Sequence, residues 1–245
     1  MQKIIDSKYQ FLDGPNSRGS ELRFSLKVMI QLLKGFRSLH FIGPAITVFG
    51  SARTEEDHNY YKIAYDIGKK IADLGFTTMT GGGPGIMEAA NRGAFENNGK
   101  SIGCSIKLPK EQSENKFMHK SVIFDHFFVR KVLLLKYSYA FIVLPGGFGT
   151  IDELFETLTL IQTGIINDFP VVVFGDKYYS KIKEMINKMI DEKTISAKDN
   201  KLVLFTDDIE EGFRHITKYI SSNYKINNKK TTPFWWLGET KRIRH

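Results

Sequence analysis

Ala140-Phe141-Ile142-Val143-Leu144-Pro145-Gly146-Gly147-Phe148-Gly149-Thr150-Ile151-Asp152-Glu153 is the stretch from which the rest of the chain is read. Its first five residues form an unbroken apolar run of the length and β-branched content that a buried parallel strand takes. Leu154, Leu158 and Ile161 then recur at helical spacing. The predicted order is therefore strand, glycine turn, helix. Three glycines at the junction let the backbone come close to a ligand, and Thr150 and Asp152 fall where a helix N-terminus exposes unpaired N–H groups. Such an end attracts phosphate. A turn whose glycines serve packing alone accounts for the glycines but not for Thr150, Asp152 and Glu153 beside them.

The same alternation repeats outward in both directions. Apolar β-rich runs at 45–49, 77–80, 101–106, 121–124, 169–174 and 202–205 are each followed by turn residues, and most lead into helical spacing. This predicts an α/β fold: a Rossmann-like doubly wound parallel sheet of six to seven strands with helices on both faces. Leu22, Leu26, Met29, Ile30 and Leu33 share one face of an amphipathic helix from Ser20 to about Leu39, with Ser20 as its cap. Thr54-Glu55-Glu56 is expected to open the next helix. The chain divides into a leader and amphipathic helix over 1–44, a doubly wound domain over 45–220 and a basic tail over 221–245.

At 245 residues and 42% hydrophobic, the chain is long enough for one substantial core. No apolar run reaches the roughly 18–20 residues of a membrane-crossing helix, and the first residues lack the apolar core of a signal peptide. A cytoplasmic protein without a membrane partner is expected. Cys104 is the single cysteine, so neither an intrachain disulfide nor a cysteine metal cluster forms, and its run Ser101–Ile106 reads as a strand that packs it. The six histidines lack metal-ligand spacing, and neither a metal nor a cofactor is expected. Residues 221–245 hold six Lys/Arg against one Glu, and so carry +5 of the formal charge of +8. The remaining body needs only a phosphorylated small molecule, and nucleic acid is not expected as a partner.

Three further stretches carry candidate chemistry. Gly50-Ser51-Ala52-Arg53 ends the first strand, which puts Ser51 and Arg53 at the carboxyl edge where open α/β sheets bind ligands. Gly81-Gly82-Gly83-Pro84-Gly85-Ile86-Met87 ends the second, but Ile86 stands at the sixth position, so the G-x-G-x-x-G dinucleotide pattern is not met. Gly99-Lys100-Ser101 likewise imitates the end of a P-loop but precedes a strand. Arg130-Lys131 puts two cations into the apolar run 127–135, where burial is costly without an anion. Adjacent positions lie about 100° apart on a helix, so at least one of the two is expected to turn inward or toward a cleft.

Taken together, these residues resemble a known family. Pro145-Gly146-Gly147-Phe148-Gly149-Thr150-Ile151-Asp152-Glu153 matches the P-G-G-x-G-T-x-x-E signature of the LOG proteins, the cytokinin riboside 5′-monophosphate phosphoribohydrolases long mislabelled as lysine decarboxylases. Gly50-Ser51, the 81–87 glycine stretch and Arg130-Lys131 extend the match over roughly residues 45–220. The resemblance implies hydrolysis of the N-glycosidic bond of a nucleoside 5′-monophosphate, such as AMP or N6-modified AMP, by a homodimer or higher homo-oligomer. It implies Arg130 and Glu153 as the catalytic pair, and Gly146, Gly147, Gly149 and Thr150 as the phosphate turn. Lys131 supports the anion, and Met87, Glu111 and Thr159 match positions near the base and sugar. Ser51, Gly82 and Gly83 complete the substrate contacts. Asp152, where many relatives carry a second glutamate, contacts ribose. Lysine decarboxylation has no candidate Schiff-base lysine. Two other readings use the same residues: a protein that binds a nucleotide without turning it over, and a DNA-associated Rossmann-like protein that relies on the basic tail.

Overall fold

The computed structural model describes residues 14–108, 113–166, 169–198 and 203–223. Seven parallel strands in these residues form one sheet: β1 (Ala45–Phe49), β2 (Thr77–Thr80), β3 (Ser101–Ile106), β4 (Lys120–Phe124), β5 (Ser138–Val143), β6 (Val171–Val173) and β7 (Val203–Phe205). Their spatial order is β4-β3-β2-β1-β5-β6-β7. The chain therefore winds outward from β1 to one edge, returns, and starts again on the other side at β5. β1 and β5 run in register from Ile46 opposite Ala140 to Phe49 opposite Val143. All five residues of β1 are buried, as the central strand of a parallel sheet requires.

Helices cover both faces. α2 (Asn59–Asp73), α3 (Ile86–Glu96) and α7 (Ile209–Asn223) lie on one face. There Ile67, Ile71, Ala89, Ala90 and Ile216 pack on Ile46, Val48 and Ile142. α1 (Arg18–Leu39), α4 (Phe127–Tyr137), α5 (Phe148–Gln162) and α6 (Ser180–Asp191) lie on the other. Here Leu39, Leu133, Leu134, Leu154 and Tyr179 pack on Phe49, Phe141 and Val143. α1 shares this layer: Val28, Leu32 and Phe36 join the apolar cluster. Gln31 donates to an Asp125 carboxylate oxygen at 2.8 Å and accepts from the Asp125 amide at 2.9 Å. That reciprocal pair fixes α1 against the turn that leads into α4.

Two expected helix starts move. α1 is capped by Ser17, whose Oγ accepts from the Ser20 amide at 3.3 Å, and Ser20 lies inside the first turn. Thr54-Glu55-Glu56 does not open α2. The helix begins at Asn59 behind His58, whose Nδ1 accepts from the Tyr60 amide at 3.1 Å. Cys104 is fully buried, and its burial pushes the thiol up to about 12, which suits a packed strand residue and not a nucleophile. The first thirteen residues of the leader and the tail from 224 onward lie outside the described residues. No helix among those described is long and apolar enough to cross a membrane.

Candidate active site

β1 and β5 are neighbours whose onward connections leave in opposite directions, so a crevice opens beyond their carboxyl ends. The Ser51 amide donates to the Pro145 carbonyl at 3.0 Å and ties the two strand ends together. A cleft of about 780 Å³ lies over this junction. Lining it from the expected set are Ser51, Met87, Arg130, Gly146, Gly147, Gly149, Thr150 and Glu153.

The turn after β5 is built for close approach. A Cβ on Gly146 would lie 2.1 Å from the Thr150 hydroxyl and 3.0 Å from the Ser51 amide nitrogen, so no side chain fits there. Gly147 caps α5 without a side-chain hydrogen bond. The Thr150 and Ile151 amides fold back onto its carbonyl at 3.0 and 3.1 Å. The amides of Phe148 and Gly149 make no such bond among the described residues, which leaves donors at a helix start beside the cleft. Thr150 is buried beneath them.

Arg130 and Glu153 meet on the cleft wall from two different helices. An Arg130 guanidinium nitrogen lies 3.0 Å from Glu153 Oε1, and their side chains are 13% and 4% exposed. Burial raises the Glu153 carboxyl from the ordinary 4.5 to about 7, against the opposing pull of Arg130 and Lys131. The Arg130 guanidinium sits 5.0 Å above the Phe127 ring, and its buried Nε–H has no hydrogen-bond partner among the described residues. An orphaned donor on a buried cation, together with a carboxyl raised toward neutrality, makes the pair a candidate functional site.

Behind the glycine stretch after β2 lies a saturated polar network. The Gly82 amide donates to Thr80 Oγ1, which donates to Asn91 Oδ1 at 2.5 Å. Asn91 Nδ2 donates to Ser101 Oγ at 2.7 Å and, more weakly, to the Ile102 carbonyl. Asn115 Nδ2 bridges Asn91 Oδ1 and the Gly83 carbonyl. Each of Thr80, Asn91, Ser101 and Asn115 is buried. Asn91→Ala is expected to cost about 3 kcal/mol, because it strands several buried partners at once. Urea unfolding of the variant checks this, and a loss under 1 kcal/mol removes Asn91 from the role of hub.

Other expected site residues lie elsewhere. Gly82 and Gly83 line a smaller lobe that adjoins the cleft. Lys131 does not line the cleft; its Nζ bridges Asp152 at 3.0 Å and Glu156 at 2.9 Å. Burial lowers its pKa, but those two carboxylates outweigh burial and hold it above its ordinary value. Asp152 is exposed and taken up in that clamp, so it too stands outside the cleft. Thr159 is exposed, with its hydroxyl donating to the Phe155 carbonyl at 2.7 Å. Six residues beyond Glu153 on a helix bring a side chain about 120° off its face. Glu111 lies outside the described residues. Ser51 Oγ accepts from the Arg53 amide at 3.0 Å and so also braces its own turn.

Several lining residues were not anticipated. Tyr178 follows β6 and donates to the Gly146 carbonyl at 2.9 Å, closing one wall. His58, Tyr60 and Phe127 form other parts of the lining. Arg53, already expected at the sheet edge, is there as well. Among the described residues no lysine lines this cleft.

A doubly wound sheet that carries a cleft and a buried Arg–Glu pair at its switch point defines a Rossmann-like α/β protein with a candidate small-molecule site. Residues 87–216 match the family model described as Possible lysine decarboxylase, and the chain belongs to that family, in its LOG-type branch. Similar curated proteins include cytokinin riboside 5′-monophosphate phosphoribohydrolase LOG1 of Arabidopsis thaliana, 28% identical across 79% of this chain and 92% of the relative. The probable LOG6 enzyme of the same plant is 30% identical across 72% and 89%. Among solved structures, the molybdenum cofactor carrier protein of Chlamydomonas reinhardtii shares the fold at TM-score 0.55 and 24% identity, covering 73% of this chain and 99% of that one. The molybdenum cofactor binding protein of Rippkaea orientalis does so at TM-score 0.54 and 24% identity, covering 73% and 98%.

Proposed function

We propose that this protein is a cytoplasmic hydrolase that cleaves the N-glycosidic bond of nucleoside 5′-monophosphates, AMP or an N6-modified AMP, to free base and ribose 5-phosphate. The observation that carries the reading is the buried Arg130–Glu153 pair beside the α5 glycine turn. The names of the LOG relatives support it. In this reading the α5 turn holds the 5′-phosphate, and binding energy far from the reacting bond is spent on orientation. As the C1′–N bond breaks, the sugar takes on oxocarbenium character, and the Glu153 carboxylate stabilises it. Water adds to C1′. One of its protons stays on the new hydroxyl, and the other reaches the departing base nitrogen through Glu153. A carboxyl near 7 is suited both to take and to give that proton. Arg130, with an unused donor, steadies negative charge on the phosphate or the leaving base.

Chromatography of free base and ribose 5-phosphate after incubation with AMP, isopentenyl-AMP, GMP, CMP and adenosine tests this. Release from monophosphates but not from adenosine is expected. Binding of AMP with no release from any of them leaves a nucleotide-binding protein.

The homo-oligomer implied by the resemblance has a fitting surface. Leu22, Leu26, Met29 and Leu33 are exposed at alternating four- and three-residue steps on α1, in a stripe beside its packed face. This spacing is that of a helix–helix seam, and a second copy of α1 would cover it. Light scattering is expected to give at least twice the 28.0 kDa chain mass. Leu26→Glu combined with Leu33→Glu is expected to yield monomer, and a monomeric unaltered protein would overturn the assignment.

A further inference from the structure

The peptides between β5 and α5 are oriented one by one through their carbonyls. The Leu144 carbonyl accepts from the Tyr179 hydroxyl at 2.8 Å, the Pro145 carbonyl from the Ser51 amide at 3.0 Å and the Gly146 carbonyl from the Tyr178 hydroxyl at 2.9 Å. The Gly147 carbonyl takes the Thr150 and Ile151 amides. Successive carbonyls from Leu144 to Gly147 are thus bound within the protein, whereas the amides of Gly147, Phe148 and Gly149 make no hydrogen bond among the described residues. In a planar trans peptide the N–H points opposite to the C=O, so whatever holds the carbonyl aims the amide.

The peptide that joins Gly146 to Gly147 needs such a hold more than its neighbours do. Glycine flanks it on both sides, and neither residue has a Cβ to oppose its rotation. Turned over, it would present the Gly146 oxygen where the Gly147 amide now stands, and an anion there would meet an acceptor instead of a donor. Its carbonyl has the Tyr178 hydroxyl as its one partner among the described residues. Tyr178 is placed by the turn after β6, which is itself anchored twice. Asp207 Oδ1, beyond β7, accepts from the Gly175 and Asp176 amides at 2.8 and 3.2 Å. A Cβ on Gly175 would lie 2.8 Å from the Pro145 ring, so the turns after β6 and β5 are in contact. Tyr179 is fully buried in the apolar cluster below, whereas Tyr178 is exposed and lines the cleft.

We propose that Tyr178 is a positioning residue of the α5 turn, whose hydroxyl holds the Gly146–Gly147 peptide with its amide toward a bound phosphate. The assignment rests on the reading given above, in which this turn holds the 5′-phosphate. Tyr178 acts through the Gly146 carbonyl, so it governs the grip on phosphate and not the chemical step.

The experiment is calorimetry with ribose 5-phosphate and with adenosine on the unaltered protein, Tyr178→Phe and Tyr179→Phe, with thermal melts alongside. Tyr178→Phe removes one hydroxyl from the cleft wall. It is expected to weaken ribose 5-phosphate binding by about tenfold, as loss of a hydrogen bond that serves a charged ligand does, with adenosine affinity and melting temperature unchanged. With AMP the same variant is expected to raise KM by about tenfold and to keep kcat within about threefold. Tyr179→Phe removes a buried hydrogen bond two residues earlier. It is expected to lower the melting temperature and to keep ribose 5-phosphate affinity within about threefold. Unchanged ribose 5-phosphate affinity in Tyr178→Phe overturns the assignment and leaves the phosphate reading of the turn standing. An equal loss for both ligands overturns it as well, since Tyr178 would then be a general part of the lining. An unaltered protein without affinity for ribose 5-phosphate overturns the phosphate reading, and the assignment with it. These affinities are read without turnover, so they decide on Tyr178 even where no AMP is hydrolysed.

Discussion

Glu153→Gln is expected to lower kcat/KM for AMP by about three orders of magnitude while leaving the fold and nucleotide binding in place. General acid–base groups contribute about 10²–10⁴ in rate, and Glu153 is asked here for both proton transfer and cation stabilisation. The amide keeps the shape of the carboxyl and still accepts from Arg130, so the loss falls on the chemical step and not on the packing. A variant that retains more than a tenth of the activity would falsify the assignment. The pH dependence follows from the same group. The reaction draws on the ionised carboxylate, so activity is expected to rise with pH through about 7 and to be lost below it. A limb near 6 common to every variant reports the substrate phosphate instead. Stability runs in the opposite sense. The folded state raises the Glu153 pKa from 4.5 to about 7, so it favours the protonated form. The contribution of this group is full below about 4.5 and declines as pH rises to 7, by no more than about 3 kcal/mol. Unfolding of the unaltered protein and Glu153→Gln at pH 5 and 8 reads that difference directly.

Gly146→Ala has the second largest expected effect. The added methyl would lie 2.1 Å from Thr150 Oγ1 and 2.8 Å from Thr150 Cβ. Neither Thr150, buried in the first turn of α5, nor the Ser51 backbone has room to retreat. The turn must open, which shifts both the α5 amides and Glu153 one turn further on. Activity is expected to fall by about 10²-fold through misplacement, with about 1–3 kcal/mol lost to overpacking. Gly147→Ala is the contrast. Its methyl would meet nothing within 4 Å, so folding is expected to be unaffected, and any loss of activity reports obstruction of a ligand that lies against the backbone. Equal stability losses in the two variants would remove the distinction between a packed and a ligand-facing glycine.

What could be read from the sequence was what depends on near neighbours. The strand, turn and helix over 140–162 follow from local periodicity, and Gly146 through Thr150 follow with them. Arg130 could be picked out because a cation in an apolar helix needs an anion, although which anion depended on α4 lying beside α5. That same packing took Lys131 and Asp152 out of the cleft: each found the other, and Lys131 found Glu156 as well. No spacing within either helix signals a pairing across two. Tyr178 was invisible for a related reason. It follows β6, and only the strand order places β6 next to β5, so that its loop reaches the Gly146 carbonyl. The loop before α2 misled because Thr54-Glu55-Glu56 has the composition of a helix start, whereas the cap in use is His58, outside the usual N-cap preferences.

The order of the strands also governs how the site comes into being. The cleft walls are supplied by Ser51, Met87, Arg130, Gly146 and Tyr178, one segment after another along most of the sheet. Such a pocket cannot assemble from a hairpin or a single βαβ unit; it forms when distant parts of the chain have closed on one another, the slow kind of contact in folding. A partly folded chain therefore has no affinity for the ligand. A ligand that fills the cleft clasps both halves of the sheet together, and its binding energy is expected to protect amides in β1 and β5 alike, far beyond the loops it touches.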